Sequence, residues 1–271
     1  MRIQGKIALV LGAAKGIGKA IGFALAREGV TVILTYHDWP EAAAEMRQEL
    51  AALPGAHLAV KVDLRNPTEV EKLLGRIREK FGALHILINN IERGGMPVVH
   101  GPYTPEQWDL EMETTLKAKW FVFNHALPLL QKADEGAVVN LSSIAGLIGR
   151  SGPAALIFND GYAAANRGIS SFTETWARQA APKIRVNELM LGFFETRHAE
   201  QTRGWELLSP EQQTAIRHHT LLNRTGKIDE VVRAVLFLIR DADYMTGSVL
   251  RLDGGYCLGH APVPPMPAGV L

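Results

Sequence analysis

The chain has 271 residues, 47% of them hydrophobic, and a net charge of +1 with histidines neutral, which suits one large α/β domain with a single buried core. Near-neutral charge without a run of one sign leaves no basic footprint for nucleic acid, and the lone Cys257 excludes an internal disulfide and a thiolate metal cluster. The N-terminus lacks a secretory pattern and no stretch reaches the roughly 18 uninterrupted apolar residues of a membrane helix, so a soluble, cytoplasmic protein is expected.

In chain order, residues 6–11 (KIALVL) form a continuous apolar run, expected as a strand buried on both faces. A glycine-rich stretch over 12–18 leads into a helix over 17–27, which stops at Gly29. Residues 30–36 (VTVILTY), rich in β-branched side chains, make the second strand. Pro40 opens a helix to 53, followed by a strand over 57–62 and a helix over 67–81. The alternation continues with a strand over 84–89 and a long helix over 105–130, kinked at Pro128. Then come a strand over 137–141, a helix over 160–181 and a strand over 184–188. A polar helical stretch to 219, a helix over 229–240 and a strand over 248–252 complete the pattern.

Seven apolar strands separated by helices predict an α/β, Rossmann-type doubly wound fold: a seven-stranded parallel sheet with helices on both faces. Residues 1–260 are expected to form one dinucleotide-binding and catalytic domain. Residues 261–271, rich in proline, are expected to be a tail, either a frayed end or an arm on a neighbouring subunit.

The strongest local signal is Gly12-Ala13-Ala14-Lys15-Gly16-Ile17-Gly18, directly after a strand and directly before a helix. Glycines let backbone turn tightly and approach a phosphate, and a helix start offers unpaired N–H groups with a partial positive charge. Three glycines alone could be a tight turn without a ligand; the strand–loop–helix context points to a bound diphosphate.

The G-x-x-x-G-x-G spacing resembles that of the short-chain dehydrogenase/reductase family, and the resemblance runs on in order over about residues 5 to 256. Asn89-Asn90-Ile91-Glu92 stands where the family has Asn-Asn-Ala-Gly at the end of the fourth strand. Asn140-Leu141-Ser142-Ser143 matches its strand ending in Ser-Ser, and Arg185-Val186-Asn187, Gly192 through Thr196, Thr246-Gly247 and Asp253-Gly254-Gly255 follow. The resemblance implies an oxidoreductase that moves a hydride between a nicotinamide dinucleotide and a carbonyl or alcohol. It places Gly12, Ala14, Lys15, Gly16, Ile17, Gly18, Leu64, Asn89, Asn90 and Tyr162 around the cofactor, with Asp63 at the adenine and Gly192 and Thr196 at the nicotinamide.

Tyr36 and His37, where an acid would select NAD, favour NADP(H). Lys15 could pair with its 2′-phosphate, or be a solvated loop residue.

For catalysis the family uses a tyrosine, a serine, a lysine four residues after the tyrosine and an asparagine on the preceding long helix. Tyr162 and Ser143 match the first two, whereas Asn166 and Thr115 stand in the other two places. A free phenol has a pKa of about 10, and a nearby cation lowers it by one to three units. Asn166 brings no such charge. Arg167 and Lys119 are weak substitutes by position, so carbonyl reduction, which needs a neutral phenol, is easier to defend than alcohol oxidation. Activated double bonds are also open as substrates.

Nineteen positions separate Ser143 from Tyr162, more than the family has, so residues 149–159 should lie over the substrate pocket. Ser151 is an alternative serine, and Trp205 belongs either to a lid or to surface packing. Histidines 100, 198, 218 and 219 lack metal-ligand spacing, so no metal is expected. A rival reading is a catalytically weakened NADP-binding sensor or partner subunit. Family members assemble through the two long helices, which implies a homodimer or homotetramer acting on a small molecule, with no membrane or nucleic-acid partner.

Overall fold

The computed structural model describes residues 1–92, 103–196, 205–261 and 263–269. Its seven strands are β1 (Ile7–Val10), β2 (Thr31–Tyr36), β3 (Leu58–Lys61), β4 (Ile86–Asn89), β5 (Gly136–Ser143), β6 (Ile184–Leu191) and β7 (Val249–Leu252). They form one sheet in the order β3-β2-β1-β4-β5-β6-β7, and every pairing is parallel. The doubly wound seven-stranded sheet expected from the sequence is therefore present. Strand order reverses between β1 and β4, where Val10 pairs with Ile88. That reversal opens a crevice at the carboxyl ends of the strands, the usual place for a ligand in such sheets.

Helices α1 (Gly16–Arg27), α2 (Pro40–Ala51) and α9 (Ile228–Arg240) bury Ile21, Met46 and Val235 in the core on one face. On the other, α3 (Pro67–Phe81), α5 (Ala118–Leu130) and α7 (Asp160–Ala180) contribute Leu74, Phe123 and Trp176. The Phe123 and Trp176 rings stack at 4.2 Å, locking α5 to α7. A third cluster caps the ends of β5 and β6, joining Phe158, Phe193, Trp205 and Tyr256.

Helix starts follow the side chains. Proline takes the first turn of α2, α3, α4 (Pro105–Glu111) and α8 (Pro210–His219). Asn66 caps α3 by accepting from the Thr68 N–H, and Thr104 and Ser209 form capping boxes with Gln107 and Gln212.

The long helix expected over 105–130 is interrupted. After α4 the chain passes through a π-helical segment, Met112–Lys117, before α5 resumes the α pitch. Pro128 lies inside α5, and the π-helical segment falls 11 to 16 positions before it. The strand endings also shift: β5 and β6 run on to Ser143 and Leu191, because each keeps a hydrogen-bonded neighbour to its end. Trp205 is buried in the third cluster at 4% exposure, which corrects the surface-packing expectation. His100 and His198 lie outside the described residues.

Candidate active site

A single cavity of about 440 Å³ runs along the crevice at the strand ends, from the glycine loop to Tyr162. At the loop end, Gly12 adopts φ +65°, and a Cβ there would come 2.7 Å from the Asn90 carbonyl oxygen. Only glycine allows both the conformation and the approach. The Gly12 N–H donates to Thr35 Oγ1 at 3.2 Å and the Ala13 N–H to the Thr35 carbonyl at 2.7 Å, tying the loop to β2.

Helix α1 begins without a side-chain cap, and its first turn has no acidic residue. Gly16 and Ile17 line the cavity there, and a Cβ at Gly16 would meet nothing within 4 Å. Amides at an uncapped helix start that face open space can accept an anion such as a diphosphate. Gly18 and Asn89 do not line the cavity but support it from beneath. A Cβ on Gly18 would lie 2.4 Å from the Gly12 carbonyl oxygen, and the fully buried Asn89 donates to Asn140 Oδ1 at 2.7 Å. Asn90 reaches the cavity and donates to the Leu11 and Gly12 carbonyls at 3.3 and 3.2 Å, bracing β1 and the loop.

The end nearest β2 and β3 is lined by Ala14, Lys15, Tyr36, His37, Asp63 and Leu64, and also by Asp38, Trp39 and Arg65. The Lys15 ammonium lies over the Trp39 ring, 3.2 Å from its centroid. Trp39 holds that place in the left-handed region at φ +63°. Arg65 grips Asp63 through two hydrogen bonds of 2.9 and 2.6 Å, and holds its carboxyl below the usual carboxylate range. Arg65 was not foreseen as a site residue. Its proximity to Asp63 in sequence was the available signal.

At the opposite end Tyr162, Ser143, Ser142, Phe158, Gly192, Phe193 and Thr196 come together. Asn159 caps α7 by accepting the Tyr162 N–H at 2.9 Å, which fixes the tyrosine in the first turn. Ser143 closes β5 and accepts the Ala145 N–H at 3.1 Å. Within the longer 149–159 connection, Phe158 stacks on Phe193 at 5.5 Å and packs tilted against Tyr162 at 5.8 Å. Ser151 is exposed and does not line the cavity, so Ser143 is the serine beside Tyr162.

Asn166 and Thr115 are not brought to this surface. Asn166 is fully buried, its Nδ2 donating at 3.0 Å to the Tyr162 carbonyl. Its Oδ1 has no hydrogen-bond partner among the described residues. Thr115 is fully buried and donates to Glu111, which also accepts the Tyr103 hydroxyl at 3.0 Å.

Two other groups do reach the cavity. Lys119, in the first turn of α5, is 1% exposed, and its Nζ donates to the Leu141 carbonyl at 2.8 Å. Burial pulls its pKa down to about 8 against the opposing pull of Glu92, Glu188 and Glu111. The Glu92 Oε2 accepts the Tyr162 hydroxyl at 3.1 Å. Burial first, and then the Glu92 charge, hold the Tyr162 phenol well above its ordinary pKa.

A fold of this topology, with a serine and a tyrosine facing an uncapped helix start across one crevice, defines a Rossmann-type oxidoreductase. The family described as enoyl-(acyl carrier protein) reductase matches residues 12–257. The chain is 33% identical to the 3-oxoacyl-(acyl-carrier-protein) reductase of Thermotoga maritima, covering 94% of this chain and 99% of that protein. Cyclohexanol dehydrogenase from an Acinetobacter species is 32% identical, with 94% and 96% covered. Among solved structures, a Sinorhizobium meliloti protein described as a short-chain alcohol dehydrogenase superposes with a TM-score of 0.82. It is 29% identical, with 94% of this chain and 98% of that chain covered. The chain belongs to the short-chain dehydrogenase/reductase family.

Proposed function

We propose that the protein reduces a carbonyl, or an activated double bond, on a small molecule with NADP(H), Tyr162 acting as proton donor and Ser143 as a second donor to the substrate oxygen. The observation that carries this reading is the single cavity joining the uncapped start of α1 to the Ser143–Tyr162 pair. The bound cofactor would supply the hydride. Amides at Gly16 and Ile17 would hold its diphosphate, Asp63 and Leu64 its adenine, and Gly192 and Thr196 its carboxamide end. Support for NADP(H) comes from Lys15 and Arg65 lining the cavity near Tyr36, at the end of β2 where an acid would select NAD.

The direction follows from Tyr162. A phenol held well above its ordinary pKa stays protonated at neutral pH, which suits a general acid. Phe158, Phe193 and Phe194 give the substrate end an apolar wall.

Fluorescence titration with NADPH and, separately, NADH tests the cofactor reading. Turnover is tested with a 3-oxoacyl thioester and with cyclohexanone, the chemistries that the relatives' names supply. Micromolar NADPH binding with NADH weaker is expected, and absence of binding by either overturns the proposal.

A second reading, a cofactor-binding sensor or partner subunit, draws on Asn166, whose side chain turns back onto the Tyr162 carbonyl. Under that reading Asn166→Lys raises carbonyl reduction well above a near-zero wild type. Comparable turnover in both forms excludes it.

A further inference from the structure

Asn166 can neither carry charge nor, in this position, reach the cavity, and Arg167 beside it on the same helix does not line the cavity either. A buried amine nevertheless lies across the site, on a different helix. Lysine is almost never fully buried unless something offsets its desolvation. Lys119 spends one N–H on the Leu141 carbonyl, next to Ser142 and Ser143, and lines the same cavity as Tyr162. Among the described residues no carboxylate lies within ion-pair distance of its Nζ, and the charges of Glu92, Glu188 and Glu111, Glu92 first, oppose the effect of its burial. The Glu92 carboxylate is the acceptor of the Tyr162 hydroxyl. It also stands where the family resemblance expects glycine, so it is an addition to the site and not an inherited contact.

We propose that Lys119 and Glu92 form a relocated proton relay, Lys119 supplying the cation that Asn166 lacks and Glu92 connecting it to Tyr162. The inference rests on the reductase reading above. In the reducing direction Tyr162 would give its proton to the substrate oxygen, with a bound nicotinamide dinucleotide supplying the hydride for the new C–H bond. The resulting phenolate would take a proton back through the Glu92 carboxylate, the proton passing from the Lys119 ammonium through solvent in the shared cavity, because the two side chains are not in ion-pair contact. Lys119 then refills from solvent through the open end of the cavity. The alcohol product has gained one hydride and one proton, and the site returns to its starting charge. Lys119 is a positioning and relay residue, since its effect on substrate passes through Glu92 and Tyr162.

The test begins with the protein alone, labelled with carbon-13 at the lysine ε-carbons and titrated by NMR. One signal, absent from Lys119→Met, is expected to titrate well below the others and to move lower still in Glu92→Gln. An unmoved Lys119 titration in Glu92→Gln overturns the relay. Glu92 lies on the cavity surface, so this variant keeps the test open even if Lys119→Met folds poorly. Turnover is then followed against pH with pre-bound NADPH and the carbonyl probe that the wild type reduces. Lys119→Met should lower kcat at least tenfold, flatten the basic limb and leave the NADPH Kd within threefold. Adding Asn166→Lys to that variant should restore part of the loss. An unchanged pH profile in Lys119→Met overturns the relay, whereas failure of the wild type to bind NADPH overturns the reductase reading and leaves the NMR result standing on its own.

Discussion

The Tyr162 hydroxyl hands its hydrogen bond to Glu92 Oε2 at 3.1 Å, so the phenol of this site rests on a carboxylate and not on a cation. That contact stabilises the protonated phenol, the form that can give a proton to a carbonyl oxygen.

Replacing Tyr162 with phenylalanine removes the donor but little volume. Carbonyl reduction should fall by about 10²–10⁴-fold, the usual contribution of a positioned acid, with NADPH affinity little changed. Steady-state kinetics alongside a fluorescence titration reads both quantities, and an equal loss in binding would move Tyr162 from chemistry to cofactor retention.

Stability should carry the signature of the buried lysine. The folded state binds the Lys119 proton with a pKa of about 8, against 10.5 for an ordinary lysine. Between those values the unfolded chain holds more protons than the folded one, so stability gains as pH rises, by at most about 1.4 kcal/mol per pH unit crossed. Below pH 8 both states are protonated and the burial penalty stands in full. Any stability advantage of Lys119→Met over wild type should therefore shrink as pH rises from about 8 toward about 10.5, as read by urea unfolding at each pH. A difference that is constant with pH would mean Lys119 is buried without a depressed pKa.

Two glycines of one loop should respond differently. Gly16→Ala adds a methyl to open space at φ +60°, so it should cost about 1 kcal/mol through backbone strain. Gly18→Ala drives its Cβ to 2.4 Å from the Gly12 carbonyl, where fixed backbone must move, and should cost about 2–4 kcal/mol. Thermal melts rank the two variants, and the reverse order would contradict this loop geometry.

Assembly is expected through α4, α5 and α7. Trp108 and Trp120 are 40% and 44% exposed, large apolar side chains left uncovered on this chain alone. Trp120→Glu should therefore shift a dimer or tetramer toward smaller species by light scattering. A wild-type monomer at micromolar concentration would refute the expectation.

The sheet, its seven strands and the glycine-rich loop were legible in the sequence because each rests on local patterning: apolar runs, glycine spacing and proline at helix starts. Ser143 and Tyr162 were legible through motif. Lys119 was named from its place one turn beyond Thr115 as a weak substitute cation, but its burial against Leu141 and its place in the cavity lining were not legible. Helical phase carries it inward, and a π turn that no periodicity announced intervenes just before it. Glu92 was visible only as a departure from Asn-Asn-Ala-Gly, and nothing local says that its carboxylate meets a tyrosine 70 positions away. Asn166 and Thr115 were found by position, but the side chains at those positions face buried partners and not the cavity.

The π segment over Met112–Lys117 has a consequence for how this site can change in evolution. One extra residue in a helical turn rotates everything beyond it by roughly 100°. A single-codon deletion there would swing Lys119 away from Leu141 and bring a neighbour to the cavity, exchanging the site's electrostatics while every side chain in α5 kept its identity. The charge of the proposed relay would thus be set by the length of a turn as much as by the residue that bears it.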